Sequence, residues 1–338
     1  MTGKERVRAA IARAESDRVP VFPIAHYFSA GVKGASIRRF ATDPDAMGSA
    51  LIAGLERFGW DGINPGCDVA VEGEALGSTL DFPENAPPFV VRPALSDPAL
   101  LRTLRRPHPL RDGRMPVVVG ATRFCVREVG GSIYVGPYTM GPFNCASQVR
   151  GVQDLLMDVV ERPDFVQELL DFCTDVVLDY GKALIDAGAH GVFLGEAICT
   201  PGMISPAFYR DCILPRQQRL VKALRQYGAG HVLVHICGDV TRILQTMLET
   251  GADIFDLDWQ VDMAEAKRVF GGKAAVRGNL DPAAVLLEGK PEDVYKKATQ
   301  VIHSAGVGGG LILSSGCDVS PGTPYENLDA MVSAAKDA

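Results

Sequence analysis

The sequence lacks the long apolar runs that a membrane protein needs. No window approaches the roughly eighteen uninterrupted apolar residues of a membrane-spanning helix. The N-terminal stretch MTGKERVRAA also lacks the apolar core of a secretory signal. Thr2 and Glu5 instead have the spacing of a helix capping box, which predicts that structure starts there. We therefore expect no membrane segment and a cytoplasmic protein.

Positive charge is also scarce and dispersed. The 34 Lys and Arg residues against 41 Asp and Glu residues give a net charge of −7. No basic stripe is present that could displace counterions from a nucleic-acid backbone, so nucleic-acid binding is not expected. The eight cysteines occur in a full-sized chain without a secretory signal, where reduced thiols or metal ligands are better interpretations than disulfides. They are Cys67, Cys125, Cys145, Cys173, Cys199, Cys212, Cys237 and Cys317.

What the sequence does have is an alternation of short β-rich runs with amphipathic segments. About eight strand–helix units in 338 residues favour an α/β fold of the (β/α)8 TIM-barrel type, with one domain over 1–338. No glycine fingerprint follows the first strand, which argues against a Rossmann fold. The predicted strands are Val19–Ile24, Pro116–Ala121, Ser132–Tyr138, Gly191–Glu196, His231–Cys237, Ile254–Asp258, Ala274–Gly278 and Gly310–Ser315, with Gly62–Gly66 as a weaker candidate. The predicted helical segments are Asp164–Asp186, Pro206–Tyr227, Val240–Glu249 and Pro291–Ala305.

Two parts of the chain depart from this rhythm. The N-terminal segment is predicted to be helical, outside the barrel alternation. The region Asp81–Arg114 is rich in proline and is expected to form an excursion or a short antiparallel element.

Three residues near strand ends have the character of metal ligands. His235 and Cys237 are two apart on one strand, so their side chains share a face. Cys317 follows the last predicted strand. Because a parallel barrel carries its chemistry at the C-terminal ends of its strands, all three are expected at the active-site mouth. Imidazole and thiolates are preferred ligands of Zn²⁺, and three of them leave a position for substrate. The sequence therefore predicts a zinc site, whereas the other six cysteines and His231 are interpreted as structural.

The fourth ligand is left between two carboxylates. Asp258 ends the strand that follows His235, so it is the preferred candidate. Glu196, which ends the strand before His235, is the competitor and is otherwise a candidate catalytic residue. Either side chain could instead orient a ligand or bind substrate.

Other strand ends offer further site candidates. Asp68 follows the weak early strand and could handle a proton or bind a cationic group, although capping the next helix is an equal alternative. Tyr138 and His26 are predicted to contact substrate. Asn279 and Asp281 are interpreted mainly as helix-starting residues before Pro282.

Several motifs in order resemble the uroporphyrinogen decarboxylase superfamily. They are LDWQVD and GNLDP within Val240–Asp281, the segment Thr323–Asn327, and Asp68 nine residues before Gly77. This resemblance implies a TIM barrel over the whole chain, and Asp68 matches the position of the family's catalytic aspartate. The decarboxylases of the family carry paired arginines near the first strand and need no metal. Here that stretch, Val19–Phe28, has no arginine.

The His-x-Cys pattern with a distal cysteine is similar to the zinc-dependent corrinoid methyltransferases of that superfamily. This similarity implies methyl transfer between a corrinoid protein and a small substrate. The substrate would be a thiol such as coenzyme M or homocysteine, or a methoxylated or methylated donor. Corrinoid would come from a partner protein, because the chain shows no cobalamin-binding module. In the similar cobalamin-independent methionine synthases the acidic ligand lies on the strand after His-x-Cys, which also favours Asp258.

Two alternatives remain at this stage. One is a metal-free decarboxylase acting on a tetrapyrrole through Asp68. The other is a non-catalytic barrel that binds a corrinoid or tetrapyrrole. The missing arginines argue against the first, and the complete ligand triple argues against the second.

Overall fold

The computed structural model describes residues 1–338. Its strands are β1 (Gly62–Ile63), β2 (Thr79–Asp81), β3 (Phe89–Arg92), β4 (Tyr134–Val135), β5 (Tyr138–Met140), β6 (Val192–Gly195), β7 (Val232–Ile236), β8 (Ile254–Leu257), β9 (Ala275–Leu280) and β10 (Leu311–Ser315). Its α-helices are α1 (Gly3–Ile11), α2 (His26–Lys33), α3 (Ile37–Thr42), α4 (Pro44–Phe58), α5 (Val71–Ala75), α6 (Met115–Val129), α7 (Pro142–Arg150), α8 (Val152–Glu161), α9 (Pro163–Asp186), α10 (Pro206–Phe208), α11 (Leu214–Tyr227), α12 (Leu244–Leu248), α13 (Met263–Phe270), α14 (Pro291–Ala305) and α15 (Tyr325–Asp337). Pro98–Thr103 and Thr241–Ile243 are 3-10 turns, and Tyr209–Ile213 and Pro282–Leu287 are π-helical turns.

The strands close into a parallel barrel. One sheet runs in the order β10-β9-β8-β7-β6-β5, and β1 pairs with β4. Val21 bridges to Leu313 of β10, and its carbonyl accepts a hydrogen bond of 2.8 Å from the amide of Asp61, just before β1. Since β4 and β5 are separated only by Gly136 and Pro137, they form one interrupted strand of the barrel. Together these pairings give eight strand positions with helices outside, which confirms the predicted barrel.

The lower end of the barrel is plugged by α1. Its Val7, Ala10 and Ile11 pack with inward-facing strand residues such as Phe22 and Ile254. The predicted capping box is confirmed: the Thr2 hydroxyl accepts from the Glu5 amide at 3.2 Å, and the Glu5 carboxylate accepts from the Thr2 amide at 2.6 Å. With one end filled, the opposite end, where β7 and β10 finish, is left for the site.

One predicted strand is wrong. Pro116–Ala121 lies inside α6. The run of valines resembles a strand, but Pro116 stands in the first helical turn, where proline suits a helix start. Val118, Val119, Thr122 and Cys125 are buried, and that spacing is the inward face of a helix. Two other predicted strands are shorter than expected, because Val19–Ile24 makes a single bridge and Gly62–Gly66 contains only the two residues of β1.

The proline-rich region forms the expected excursion. Within and just before it, β2 and β3 pair antiparallel, with a register irregularity at Thr79 and Leu80. This ribbon is largely exposed. Arg114, the last residue of the proline-rich region, is buried. None of the helices combines the length and apolar character required to cross a membrane.

Candidate metal centre and substrate cavity

The three predicted zinc ligands converge at the mouth of the barrel. His235 lies on β7, Cys237 follows that strand immediately, and Cys317 lies two residues beyond β10. The two strands are separated in the sheet by β8 and β9, so Cys317 comes from across the opening. One ligand atom from each residue falls within 4.8 Å of the other two. The structure thus brings together residues eighty positions apart in the chain.

The spacing of these atoms suits zinc. Two thiolates bound at about 2.3 Å in tetrahedral geometry stand about 3.8 Å apart. The sulfurs of Cys237 and Cys317 are 3.9 Å apart. His235 Nε2 is 3.1 Å from the Cys237 sulfur, somewhat closer than the roughly 3.6 Å of a zinc-bound pair. A small shift of the imidazole ring would therefore be enough to bring the three atoms into the geometry of a zinc site.

The cluster already favours a thiolate. The hydrogen bond with Cys317 lowers the pKa of Cys237 to about 5 against the opposing effect of burial, and His235 adds to this lowering. The pKa of Cys317 is raised, because it supplies that hydrogen bond and is itself buried. Burial alone would lower the pKa of His235, but Cys237, Tyr138 and Asp256 raise it well above its usual value. A cation arriving here would replace protons, as metal ions do at sites of this type.

A buried carboxylate stands behind the histidine. Asp256 of β8 is fully buried, and its Oδ2 lies 3.0 Å from His235 Nδ1. The Tyr138 hydroxyl donates to the same oxygen at 3.0 Å. Arg277 of β9 is also fully buried, with its Nε 3.7 Å from Asp256 Oδ1. A carboxylate on the far nitrogen fixes the ring and directs Nε2 toward the sulfurs.

The two fourth-ligand candidates lie apart from this group. The Asp258 carboxylate is outside the 4.8 Å cluster and accepts from the amide of Gln260 at 3.1 Å. Glu196 is fully buried, and it accepts from the amides of Asn144 at 2.9 Å and Phe143 at 3.4 Å, at the start of α7. Burial raises the pKa of Glu196 to about 7 despite these bonds. Glu196 thus has the contacts of a helix cap, while a catalytic role for it, and metal binding by Asp258, stay predictions.

Next to the three predicted ligands lies a cavity of about 290 Å³. His235, Cys237 and Cys317 form one side of it, and α2, the loop after β1 and the prolines at 87 and 88 form the other. Apolar side chains dominate its lining, and no lysine or arginine contributes to it. Such a volume suits a small substrate, whereas a whole corrin ring would have to approach from the mouth.

Asp68 reaches the cavity as one half of a buried ion pair. Its two oxygens accept from Arg114 at 2.5 and 3.0 Å, and both side chains are about 5% exposed. The Tyr27 hydroxyl donates to Asp68 at 2.7 Å, and the Ala70 amide donates at 3.0 Å. Arg114 also binds Glu74 at 2.6 Å. Asp68 thus lies in the cavity and binds a cationic group, and it closes a turn before α5 without being the N-cap of that helix, which is Ala70. Its role in handling a proton stays a prediction.

His26 and Tyr138, the predicted substrate residues, meet in the same cavity. Their rings are 5.6 Å apart in an edge-on arrangement, and both line the space beside the ligands. His26 Nδ1 lies 3.4 Å from Asp318 Oδ2, while its buried Nε2 has no hydrogen-bond partner. The structure thus places both residues where the prediction requires, and their role in binding stays a prediction.

Several important residues were not predicted. Asp256 lies two positions before Asp258 on the same strand, so its shared face could have indicated it. Arg277, a charged residue inside an otherwise apolar strand, could likewise have been recognised from the sequence as a candidate partner for a buried carboxylate. Arg114 gave no signal, because its partner Asp68 is 46 residues away across the proline-rich excursion. Asp281 starts the π-helical turn at Pro282–Leu287, as predicted. Asn279 is structural but does not start a helix: it lies in β9 and donates to the backbone carbonyls of Asp258 and Val261.

Comparison with known proteins matches this picture. The family model for uroporphyrinogen decarboxylase (URO-D) matches residues 2–338. The chain is 31% identical to a methylated-thiol–coenzyme M methyltransferase of Methanosarcina mazei, over 100% of this chain and 90% of the relative. It is 29% identical to the methylcobamide:CoM methyltransferase MtbA of Methanosarcina acetivorans, over 99% and 98%. A uroporphyrinogen decarboxylase of Methylobacillus flagellatus is 27% identical over 89% and 86%.

Solved structures agree as well. A methyltransferase from Methanosarcina mazei superposes with a TM-score of 0.91 at 26% identity, covering 100% of this chain and 99% of that one. A B12-independent methionine synthase from Shewanella shares the fold, with a TM-score of 0.63 at 15% identity over 95% and 97%. The expected superfamily and its methyltransferase branch are thereby confirmed. A whole-chain family match and a barrel of eight strand positions lead to the same conclusion: this chain belongs to the uroporphyrinogen decarboxylase (URO-D) family and is similar to the methyltransferases of that family.

Proposed function

We propose that this protein transfers a methyl group between a corrinoid, presented by a partner protein, and a small thiol, using a zinc ion held by His235, Cys237 and Cys317. The observation that carries the proposal is the convergence of these three ligands on one wall of a small cavity. It is supported by two relatives whose names specify coenzyme M, together with a methylated thiol in one and methylcobamide in the other.

In this reaction the thiol sulfur supplies the electron pair of a new S–C bond to the methyl carbon. The Co–C bond breaks as that bond forms, and its electron pair stays on cobalt, which passes from Co(III) to Co(I). The thiol proton is released. Zinc bound at the proposed site would lower the pKa of the substrate thiol, so that its sulfur is ionised near neutral pH.

The chain's own residues supply binding and orientation. Asp256 holds His235 in the ring position that presents Nε2 to the ligand group. The cavity receives the thiol, and its limited volume leaves the corrinoid at the barrel mouth. Asp68 faces the cavity with its charge balanced by Arg114, which keeps the opposite wall in place.

Two acidic residues keep narrower proposed roles. Asp258 is our candidate for the fourth zinc position before a thiol binds, since its charge already acts on Cys237. To reach the ion it would have to release the Gln260 amide. Glu196 is proposed to act through α7, whose first amides it holds next to the cavity residues Gly195 and Ala197.

Metal analysis with a cysteine variant tests the proposal. Purified protein should contain about one zinc per chain, and Cys317→Ala should lose most of it together with methylcobalamin demethylation in the presence of thiols. Cys212→Ala is the matched control, because Cys212 lies away from the cavity and its sulfur accepts a hydrogen bond only from Gln167. It should keep both metal and activity. Metal-free protein whose activity is unchanged by Cys317→Ala would refute zinc-dependent transfer and revive the decarboxylase alternative.

A further inference from the structure

Every positive feature around the cavity is already matched by a carboxylate of the protein. Arg114, just behind the lining, is bound by Asp68 and Glu74. The N-terminus of α2 holds Asp318, whose Oδ1 accepts from the His26 amide at 3.1 Å. With no lysine or arginine in the lining, an anionic ligand would find no free cation.

The carboxylates themselves reach the cavity. Asp68, Glu72 and Asp318 all belong to its lining. Glu72 is 1% exposed and accepts from the Thr139 hydroxyl at 2.7 Å and the Met140 amide at 2.8 Å. Burial also raises the pKa of Glu72, and Arg114 balances the charge of Asp68. A negative group on the substrate would therefore lose its hydration and find no free cation in return, which opposes binding.

Three residues of the lining have a buried polar atom without a hydrogen-bond partner: His235, whose Nδ1 faces Asp256, and the pair His26 and Tyr180. His26 is 7% exposed and Tyr180 is 1% exposed, and neither His26 Nε2 nor the Tyr180 hydroxyl makes a hydrogen bond. Unsatisfied buried polar atoms are uncommon in proteins and call for an explanation. Asp318 faces His26 Nδ1 at 3.4 Å and favours, in the neutral ring, the tautomer with the proton on Nδ1, in which Nε2 is an acceptor.

Space has been kept in front of the histidine. Gly66 also lines the cavity, and a Cβ atom at this position would stand 3.2 Å from His26 Nε2 and 3.1 Å from the Tyr138 Cβ. Any larger residue would crowd that nitrogen. The glycine at this position therefore keeps the space next to the buried His26 Nε2 free of a side chain.

From these contacts we infer that the methyl-accepting thiol carries a short, uncharged tail with a hydrogen-bond donor such as a hydroxyl, which His26 and Tyr180 bind. This inference rests on the proposed function and specifies its substrate class. It distinguishes the chain from its relatives, whose names specify coenzyme M, a thiol with a sulfonate tail. The methyl-transfer chemistry at sulfur is unchanged, because the tail takes no part in the bond exchange.

Three thiols of similar size test the inference. With zinc-loaded protein and methylcobalamin, kcat/KM is measured for 2-mercaptoethanol, 2-mercaptoethanesulfonate and 3-mercaptopropionate. We expect 2-mercaptoethanol to exceed both anionic thiols by about tenfold or more, the effect of one unpaired charge in a dry site. Equal or higher kcat/KM for either anionic thiol would overturn the inference.

Calorimetry separates this outcome from failure of the proposed function. Binding of the same thiols to zinc-loaded protein needs no methyl transfer. If no thiol is methylated but 2-mercaptoethanol binds about tenfold tighter than the anionic thiols, methyl transfer is refuted and the inference about the tail is supported. If binding shows no preference for the neutral thiol, the inference fails whatever the activity.

Two variants locate the effect. Tyr180→Phe should raise KM for 2-mercaptoethanol by about fivefold, the loss of one hydrogen bond, while KM for ethanethiol and the zinc content stay unchanged. An equal change for both thiols would show a merely structural role.

Val69→Lys adds a cation to the lining and should shift preference toward the anionic thiols by about fivefold. Val91→Lys makes the same charge change on exposed β3, outside the cavity, and should leave the preference as it was.

Discussion

The two walls of the cavity are built in different ways. The wall with His235, Cys237 and Cys317 is carried by β7 and β10, each of five residues and fully buried. Behind it stands a buried network of Asp256, Arg277 and Tyr138. The facing wall, which contains His26 and Asp68, comes from α2 and from the loop after the two-residue β1.

This difference separates two tasks. Metal ligands have to be held within fractions of an ångström, and regular strands with supporting side chains provide that rigidity. A substrate wall has to fit one small molecule, and loops on a fixed scaffold can change without disturbing the ligands. The loop wall still needs an anchor, and the Asp68–Arg114 pair has that position. If the two walls are independent, damage to one should leave the other functional.

Breaking the anchor is expected to have the largest effect on stability. Arg114→Met leaves the buried Asp68 carboxylate without its partner and should lower the free energy of unfolding by about 3–5 kcal/mol. Urea unfolding measures this loss. Arg57→Met, which removes an exposed pair with Asp329, should cost at most about 1 kcal/mol. Zinc content of the folded Arg114→Met protein should be normal. Its loss would show that the walls are coupled.

The pH dependence of stability tests whether Glu196, which follows β6, is protonated in the folded protein. The pKa of Glu196 rises from 4.5 to about 7 on folding because of burial. Between these values the folded state holds a proton that the unfolded state releases, so the contribution of this carboxyl to stability is greatest at low pH and falls as pH rises. The fall is up to about 3 kcal/mol at pH 7 and above.

Glu196→Gln should remove this pH dependence, as followed by denaturant unfolding between pH 4.5 and 8. The exposed Glu161→Gln, at the end of α8, should keep it. A Glu196→Gln protein with unaltered pH dependence would show that the carboxyl is ionised throughout. It would then be available for the catalytic role that the sequence suggests.

Loosening the metal wall is expected to have the smallest effect. Asp256→Asn keeps the shape of the side chain but weakens its hold on His235, and it should reduce zinc affinity by about 10–100-fold. Competition with a chelator measures this change, and Asp329→Asn on the surface serves as control. Tyr138→Phe, which removes one donor to Asp256, should have a weaker effect in the same direction. Unchanged affinity in both variants would mean that the strands alone position His235.

Much of this arrangement could be predicted from local pattern. Strand and helix periodicities in the C-terminal half were correct, since β6 to β10 lie within their predicted runs to within two residues. The exception in the first half is informative. Pro116–Ala121 has the valines of a strand, yet packing of α6 against α4 makes it a helix, because β-propensity is weaker than tertiary context.

The sequence by itself determined the barrel and the three candidate metal ligands that meet at its mouth. Both depend on short-range rules: the alternation of strand and helix, the two-residue period of a strand, and the location of sites at strand ends. Only the tertiary structure decided which side chains support them. Arg114 meets Asp68 across a 46-residue excursion, Asp256 meets His235 between neighbouring strands, and Tyr180 reaches the cavity from α9. Such contacts depend on how loops and helices return to the barrel, and no local periodicity records that path.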